Sequence, residues 1–368
     1  KRQLDKLIHC CAYVYHTAPV AELAEKLAGI APRNLRKTFF SNSGAEAIEC
    51  ALKIGRKFTK KHEIVSLMYS FHGRTLGTLS VTGQAGRRRY SMGPYLSDIA
   101  FAPAPYCYRC GLGQQYPECD LQCAKMISDV IDFSTSGDVA EFIAEPILGE
   151  GGIIVPPKEY FNVVKKILDE RGVLFIVDEV QTGFGRTGAM FGIEHYGVAP
   201  DIMCLAKGIA GGLPLGACMT RDDIGDAFEP GDHLSTFGGN PVSCAAAIAN
   251  IQYMIDEKIP EQAASKGEYL SKRLNELKDR HDLIGDVRGK GLMFGVELVR
   301  SQKDKSPATE ETGRIRDLCR EMEVLIGHGG VKGNVLRLQP PLIISREQLD
   351  KAVDTLQECL KKVEAAGK

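Results

Sequence analysis

"LFIVDEVQTGFGRTG", residues 174–188, is where two folds compete. An apolar run ends in Asp178, and Gly183, Gly185 and Gly188 then spell G-x-G-x-x-G, the fingerprint of a dinucleotide-binding turn. Such a turn needs its first glycine at the end of the strand, so that a pyrophosphate meets the N-terminus of the next helix. Here Asp178, Glu179, Gln181 and Thr182 intervene. The segment that follows, "AMFGIEHYGVAP", is short, holds Gly192 and Gly197, and makes a poor crossover helix. About 20 residues on, an acid should grip a ribose. Lys207 ends the next strand instead, which only a 2′-phosphate cofactor would tolerate. The glycines therefore predict a loop, and Asp178 is the chemical point of the stretch.

Around this stretch, short apolar runs alternate with amphipathic ones. "KTFFSNSGAEAIECALKIGRKF" (37–58) reads as strand, turn and helix. "EIVSLMYSFHG" (63–73) and "VAEFIAEPILGEGG" (139–152) are strands ending in polar turns. "PKEYFNVVKKILDERG" (157–172) is an amphipathic helix between Pro157 and Gly172, and strands follow at 173–180 and 201–208. This alternation predicts an α/β fold, a large domain whose mostly parallel sheet is covered by helices. Near residue 240 the pattern changes. A long helix runs until Pro260 stops it, and a second spans 261–280. Short strands (291–299, 334–343) then mix with helices (309–323, 345–363). The division expected is a large domain at 1–255 and a smaller α+β domain at 256–368.

The 368 residues carry Lys+Arg 46 against Asp+Glu 47, a formal charge of -1. That gives no electrostatic case for nucleic acid or an anionic membrane. No apolar run approaches the ~20 residues that span a bilayer. Of twelve cysteines, Cys50, Cys204, Cys218, Cys244 and Cys359 sit in apolar contexts and read as buried hydrophobes. The pattern suits a reducing compartment, so the cytoplasm is expected. The chain opens on Lys1 rather than Met, which leaves room for a removed targeting segment.

Open α/β sheets bind ligands at the carboxyl ends of their strands. Those ends hold Asp178, Lys207, Glu145, His72 and "SNSGAEA" (41–47). Burying such charges is expensive, and Asp178 with Lys207 could simply form an ion pair. The functional alternative is a pyridoxal phosphate site. That cofactor needs an amine for a Schiff base, which Lys207 offers. It needs a carboxylate against its pyridine nitrogen to keep it an electron sink, which Asp178 offers. Its phosphate needs an anion cradle, which Ser43, Gly44 and Ala45 offer at a helix start.

Seven segments then carry a family resemblance: "FSNSGAEAIECALKIGRKFT", "YSFHGRTLGTLSVTG", "AEPILGEGGIIVPP", "FIVDEVQTGFGRTG", "DIMCLAKGIAGGLPLGA", "STFGGNPVSCAAA" and "LRLQPPL". In this order, over essentially the whole chain, they resemble the class III aminotransferases of fold type I. These include ornithine, 4-aminobutyrate and alanine–glyoxylate aminotransferases. The resemblance implies that Lys207 is the Schiff-base lysine and also the proton shuttle. It implies that Asp178 meets the pyridinium nitrogen and Gln181 lies near the phenolic oxygen. Val180 would pack on one ring face and Phe71 stack on the other, and Gly44 and Ala45 would bind the phosphate. Thr236 would reach the phosphate of a neighbouring subunit's cofactor, which implies a homodimer or a dimer of dimers with shared sites. In the ω-amino branch, the residue matching Arg337 binds the carboxylate of an oxo acid. The one matching Glu150 pairs with that arginine when the donor has no carboxylate there. The alternative is a structural salt bridge, but having both residues favours an enzyme with two kinds of substrate, an ω-amino donor and an α-oxo acid.

The activity implied is a ping-pong transaminase, with an ω-amino acid or amine donor and 2-oxoglutarate, pyruvate or glyoxylate as acceptor. A racemase or epimerase of the same family would keep the same lysine and aspartate and return the proton to the α-carbon. A non-enzymatic ligand sensor is a third reading. Finally, Cys107, Cys110, Cys119 and Cys123 are spaced C-x2-C-x8-C-x3-C, like a compact zinc site or, more weakly, an iron–sulfur site. Similar insertions occur in the resembling branches with no metal role implied, so no metal is expected. These four are the candidates if one binds.

Overall fold

The computed structural model describes residues 1–12, 14–32 and 35–366. The chain forms two compact units. The first takes Lys1–Pro146, Pro156–Phe184 and Met190–Glu257. The second takes Ile147–Val155, Gly185–Ala189 and the chain from Lys258 onward. A single cut after residue 255 therefore misses two short excursions. The first excursion is explained by its own bonding: Leu148 pairs with Ile154, and Ile147 and Ile153 bury against Met293.

The first unit is built on a seven-stranded sheet. Its strands are β1 (Lys37–Ser41), β2 (Glu63–Leu67), β3 (Ile99–Ala102), β4 (Val139–Ala144), β5 (Leu174–Asp178), β6 (Ile202–Leu205) and β7 (Gly216–Thr220). They lie in the order β1-β7-β6-β5-β4-β2-β3. The ladders β3–β2, β2–β4, β4–β5 and β5–β6 are parallel. Only β7 runs against its neighbours β6 and β1. Parallel strands covered on both faces become continuous apolar runs, and β4, β5 and β6 are buried at every position. Glu141, inside β4, is the exception in chemistry: it is fully buried, with no partner for either carboxylate oxygen. Burial pushes its pKa well above the ordinary carboxylate range.

The second unit holds an antiparallel sheet of β8 (Ile284–Lys290), β9 (Met293–Leu298), β10 (Gly327–Gly329) and β11 (Val335–Leu338), in the order β10-β11-β9-β8. Helices Ile259–Lys278, Thr309–Glu321 and Arg346–Ala366 bury Leu270, Leu274, Ile315, Leu356 and Leu360 against it. Pro260 does not stop the preceding helix, which ends at Asp256. It sits in the first turn of the next one, where a missing N–H costs nothing.

The glycines of 183–188 form a loop. Gly185 and Gly188 take φ of 80° and 88°, and a Cβ on Gly188 would meet Ala264 backbone at 3.0 Å. The element after them is a five-residue 3-10 helix, Gly192–Tyr196, which is no dinucleotide crossover. No helix among the described residues is long and apolar enough to cross a membrane.

Candidate active site

In the first unit, β1, β2, β4, β5 and β6 point the same way, so their carboxyl ends share one edge of the sheet. The segments that follow them carry Ser43 to Ala45, Phe71 to Gly73, Glu145, Asp178 to Gln181, and Lys207.

The helix Gly44–Thr59 opens at this edge. Ser43 caps it, its hydroxyl accepting from Glu46 N at 3.2 Å. Glu46 reaches back to accept from Asn42 N at 2.6 Å. The first-turn N–H groups of any helix lack intrahelical acceptors and carry the positive end of its dipole. Gly44 is required by closeness: a Cβ there would meet Val180 Cγ1 at 2.8 Å. Across the same turn, a Cβ on Gly73 would come within 3.1 Å of Ala45 Cβ. The start of this helix therefore meets the turns after β2 and β5.

Asp178 is 4% exposed. Its Oδ2 lies 2.7 Å from Nδ1 of the buried His72, and its Oδ1 accepts from Val180 N at 3.0 Å. His72 Nε2 has no protein partner. The buried Glu145 accepts from Phe71 N at 2.9 Å. Val180 and Gln181 are half-buried, and Gln181 Oε1 is out of solvent with no protein partner.

Lys207 does not pair with Asp178, whose salt-bridge partner is His72. It is exposed and opens the 3-10 turn Lys207–Ala210. Its φ of 43° is a left-handed conformation for a residue with a Cβ. Strain of this kind persists only where the surroundings over-determine it. Asn250 supplies part of that, donating to Gly208 O at 2.8 Å and Ile209 O at 3.1 Å. Thr236 is exposed.

Glu150 and Arg337 both belong to the second unit, and they form an ion pair. Both are mostly buried, and Arg337 Nε has no partner.

Of the cysteine cluster, Cys107 is exposed and Cys110, Cys119 and Cys123 are half-buried. Burial first, then the neighbouring Cys107 and Cys119, pushes the Cys123 thiol up to about 11. Among the described residues no three His, Cys, Asp or Glu side chains are grouped where they could hold one metal ion.

Four further residues were assigned no role from the sequence. Arg74 and Arg88 bring their guanidinium carbons to 5.1 and 5.3 Å from the Phe71 ring centroid. Asn250 holds the lysine turn. Glu179, next to Asp178, is fully buried and accepts from Thr182 Oγ1, from Gly192 N at 2.9 Å and from Ile193 N at 2.7 Å. It ties down the loop that carries Val180 and Gln181. Only the acid beside Asp178 gave any signal, and nothing in the sequence named its partners.

Residues 1–360 match the family described as Aminotransferase class-III. A leucine/methionine racemase of Thermococcus litoralis is 42% identical over 365 residues, 99% of this chain and 82% of that protein. An acetylornithine aminotransferase of Methanothermobacter thermautotrophicus is 44% identical over 354 residues, 96% of this chain and 81% of that protein. Among solved structures, a PLP-bound amine transaminase from an uncultivated Pseudomonas species matches with a TM-score of 0.92 and 34% identity. The match covers 98% of this chain and 84% of that one.

Proposed function

The chain belongs to the class III aminotransferases, enzymes that use pyridoxal phosphate. On that premise we propose that it moves the amino group of an ω-amino acid or amine donor, 4-aminobutyrate-like, to an α-oxo acid. The acceptors proposed are 2-oxoglutarate, pyruvate and glyoxylate, in two half-reactions.

The residues fit the cofactor. The helix Gly44–Thr59, capped by Ser43, offers its first-turn N–H groups and the positive end of its dipole to a phosphate. Gln181 Oε1 lies buried without a partner, and the Lys207 amine is exposed rather than tied to Asp178. Bound there, pyridoxal phosphate would supply an electron sink for a carbanion. Asp178, steered by His72 and Val180 N, would hold a proton on the pyridine nitrogen. Val180 and Phe71 would flank the ring, with Glu145 fixing the Phe71 backbone. Lys207 Nζ would take the proton from the donor's carbon. Thr236 would serve a second subunit's phosphate, in a homodimer.

The observation that carries the transaminase reading is the Glu150–Arg337 ion pair. A planar guanidinium can exchange one carboxylate for another. Arg337 would take the carboxylate of the oxo acid, and Glu150 would take its place when a donor brings none. The 42% identity to a leucine/methionine racemase favours a second reading, in which Lys207 returns the proton to the same carbon. The test supplies the cofactor-loaded protein with 4-aminobutyrate, N-acetylornithine or L-alanine plus 2-oxoglutarate, and assays glutamate. In parallel, L-leucine and L-methionine are followed for optical rotation without any oxo acid. Glutamate formation supports the transaminase. Loss of rotation with no glutamate formed from any donor replaces it with the racemase.

A further inference from the structure

Glu150 sits on a turn that is held more firmly than an ordinary surface hairpin. Leu148 N donates to Ile154 O at 3.0 Å, and Ile154 N to Leu148 O at 3.1 Å. Ile153 N donates to Gly149 O at 3.2 Å. Within this turn, Ile153 has a φ of 54° and is completely buried. A β-branched residue in the left-handed region is an outlier, and it needs outside support.

The support is Arg288. Its Nε donates to Gly152 O at 3.1 Å and Ile153 O at 3.0 Å, and its Nη2 donates to Gly152 O at 2.6 Å. Its Nη1 faces Asp286 Oδ2 at 2.7 Å and Glu297 Oε2 at 2.8 Å. The guanidinium is 11% exposed, and Glu297 is fully buried. Its charge is thus matched by two carboxylates while its donors grip the turn's carbonyls. From the other side, Gly330 N donates to Glu150 O at 3.3 Å. Gly152 packs so closely that a Cβ there would meet Gly330 Cα at 3.1 Å and Val335 Cγ2 at 3.2 Å.

All these groups belong to the second unit. The backbone of Glu150 is therefore fixed, and only its side chain is left to move toward or away from Arg337. We propose that Arg288 is a positioning residue. By fixing the Glu150 turn, it sets how strongly the Glu150 carboxylate competes with a ligand carboxylate for Arg337. This rests on the reading that Arg337 exchanges Glu150 for a carboxylate ligand. Holding one partner close to the other keeps its effective concentration high. Loosening the turn lowers it, so an external dicarboxylate should bind more tightly.

The experiment is calorimetric binding of glutarate, which has no amino or oxo group to react, to the cofactor-loaded chain. Glu150→Gln should tighten glutarate at least fivefold, and Arg337→Met should abolish its binding. Arg288→Gln should tighten it to a similar degree, and the Glu150→Gln/Arg288→Gln double variant should add less than twofold. A residue that merely stabilises the fold would weaken binding or leave it alone. Arg288→Lys keeps the charge between Asp286 and Glu297 but loses the fork, and should tighten glutarate at least twofold. It serves where Arg288→Gln does not fold. Unchanged affinity in a folded Arg288 variant, with Glu150→Gln tightening, overturns the role of Arg288 alone. No response to Glu150→Gln or Arg337→Met overturns the carboxylate-exchange reading beneath it.

Discussion

His72 Nδ1 donates to Asp178 Oδ2 over 2.7 Å, with both side chains almost wholly out of water. A carboxylate has capacity for several hydrogen bonds, so Asp178 keeps an acceptor site while two protein donors fix its plane. Asp178→Ala should lower kcat/KM by about 10²-fold or more, the scale of losing a preorganised charge partner. The visible absorbance of cofactor held by Lys207 should remain. Normal turnover in the folded variant would refute the assignment.

Gly44 and Val180 define how close the helix start comes to the loop after β5. Gly44→Ala places a Cβ 2.8 Å from Val180 Cγ1. Overpacking of this kind costs about 1–3 kcal/mol, and cofactor affinity should fall with it. Gly44→Ala/Val180→Ala removes the colliding methyls and should recover stability in a urea melt. Failure to recover would place the cost in the backbone instead.

Glu179 predicts a pH trend. Burial pushes its pKa up to about 7, against hydrogen bonds from Thr182, Ile193 and Gly192 that lower it. The folded chain holds this proton more tightly than the unfolded chain. Its contribution is fully present below about 4.5 and is lost as pH rises toward 7, by about 3 kcal/mol in all. Glu141 is shifted the same way by burial and adds the same sign. Urea midpoints should fall between pH 5 and 8, and fall less in Glu141→Gln. A wild-type midpoint that climbs over that range would contradict both assignments.

Much of the fold could be read locally. β4, β5 and β6 announced themselves as apolar runs because a doubly covered parallel strand has no wet face. The helix Gly44–Thr59 was visible in the strand, turn and helix pattern of residues 37–58. β3, β7, β8 and β10 were not foreseen. β7 lies among strands of opposite direction, and no residue pattern encodes direction. Pro260 was read as a stop when it is a start, because a proline at a boundary fits either side of it.

Within the site, the sequence alone singled out Asp178, Lys207, Glu145 and the turn at Ser43 to Ala45, since a strand's end and a helix's first turn are local features. It could not say that Asp178 would choose His72, 106 residues away, over Lys207. Nor could it say that Arg74 and Arg88 would sit over Phe71, or that Arg288 would grip the turn beneath Glu150. Residue type and spacing determine which groups reach a strand's end. Which of those groups touch is decided by tertiary packing, because hydrogen bonds depend on distance and direction in space, and chain separation carries neither.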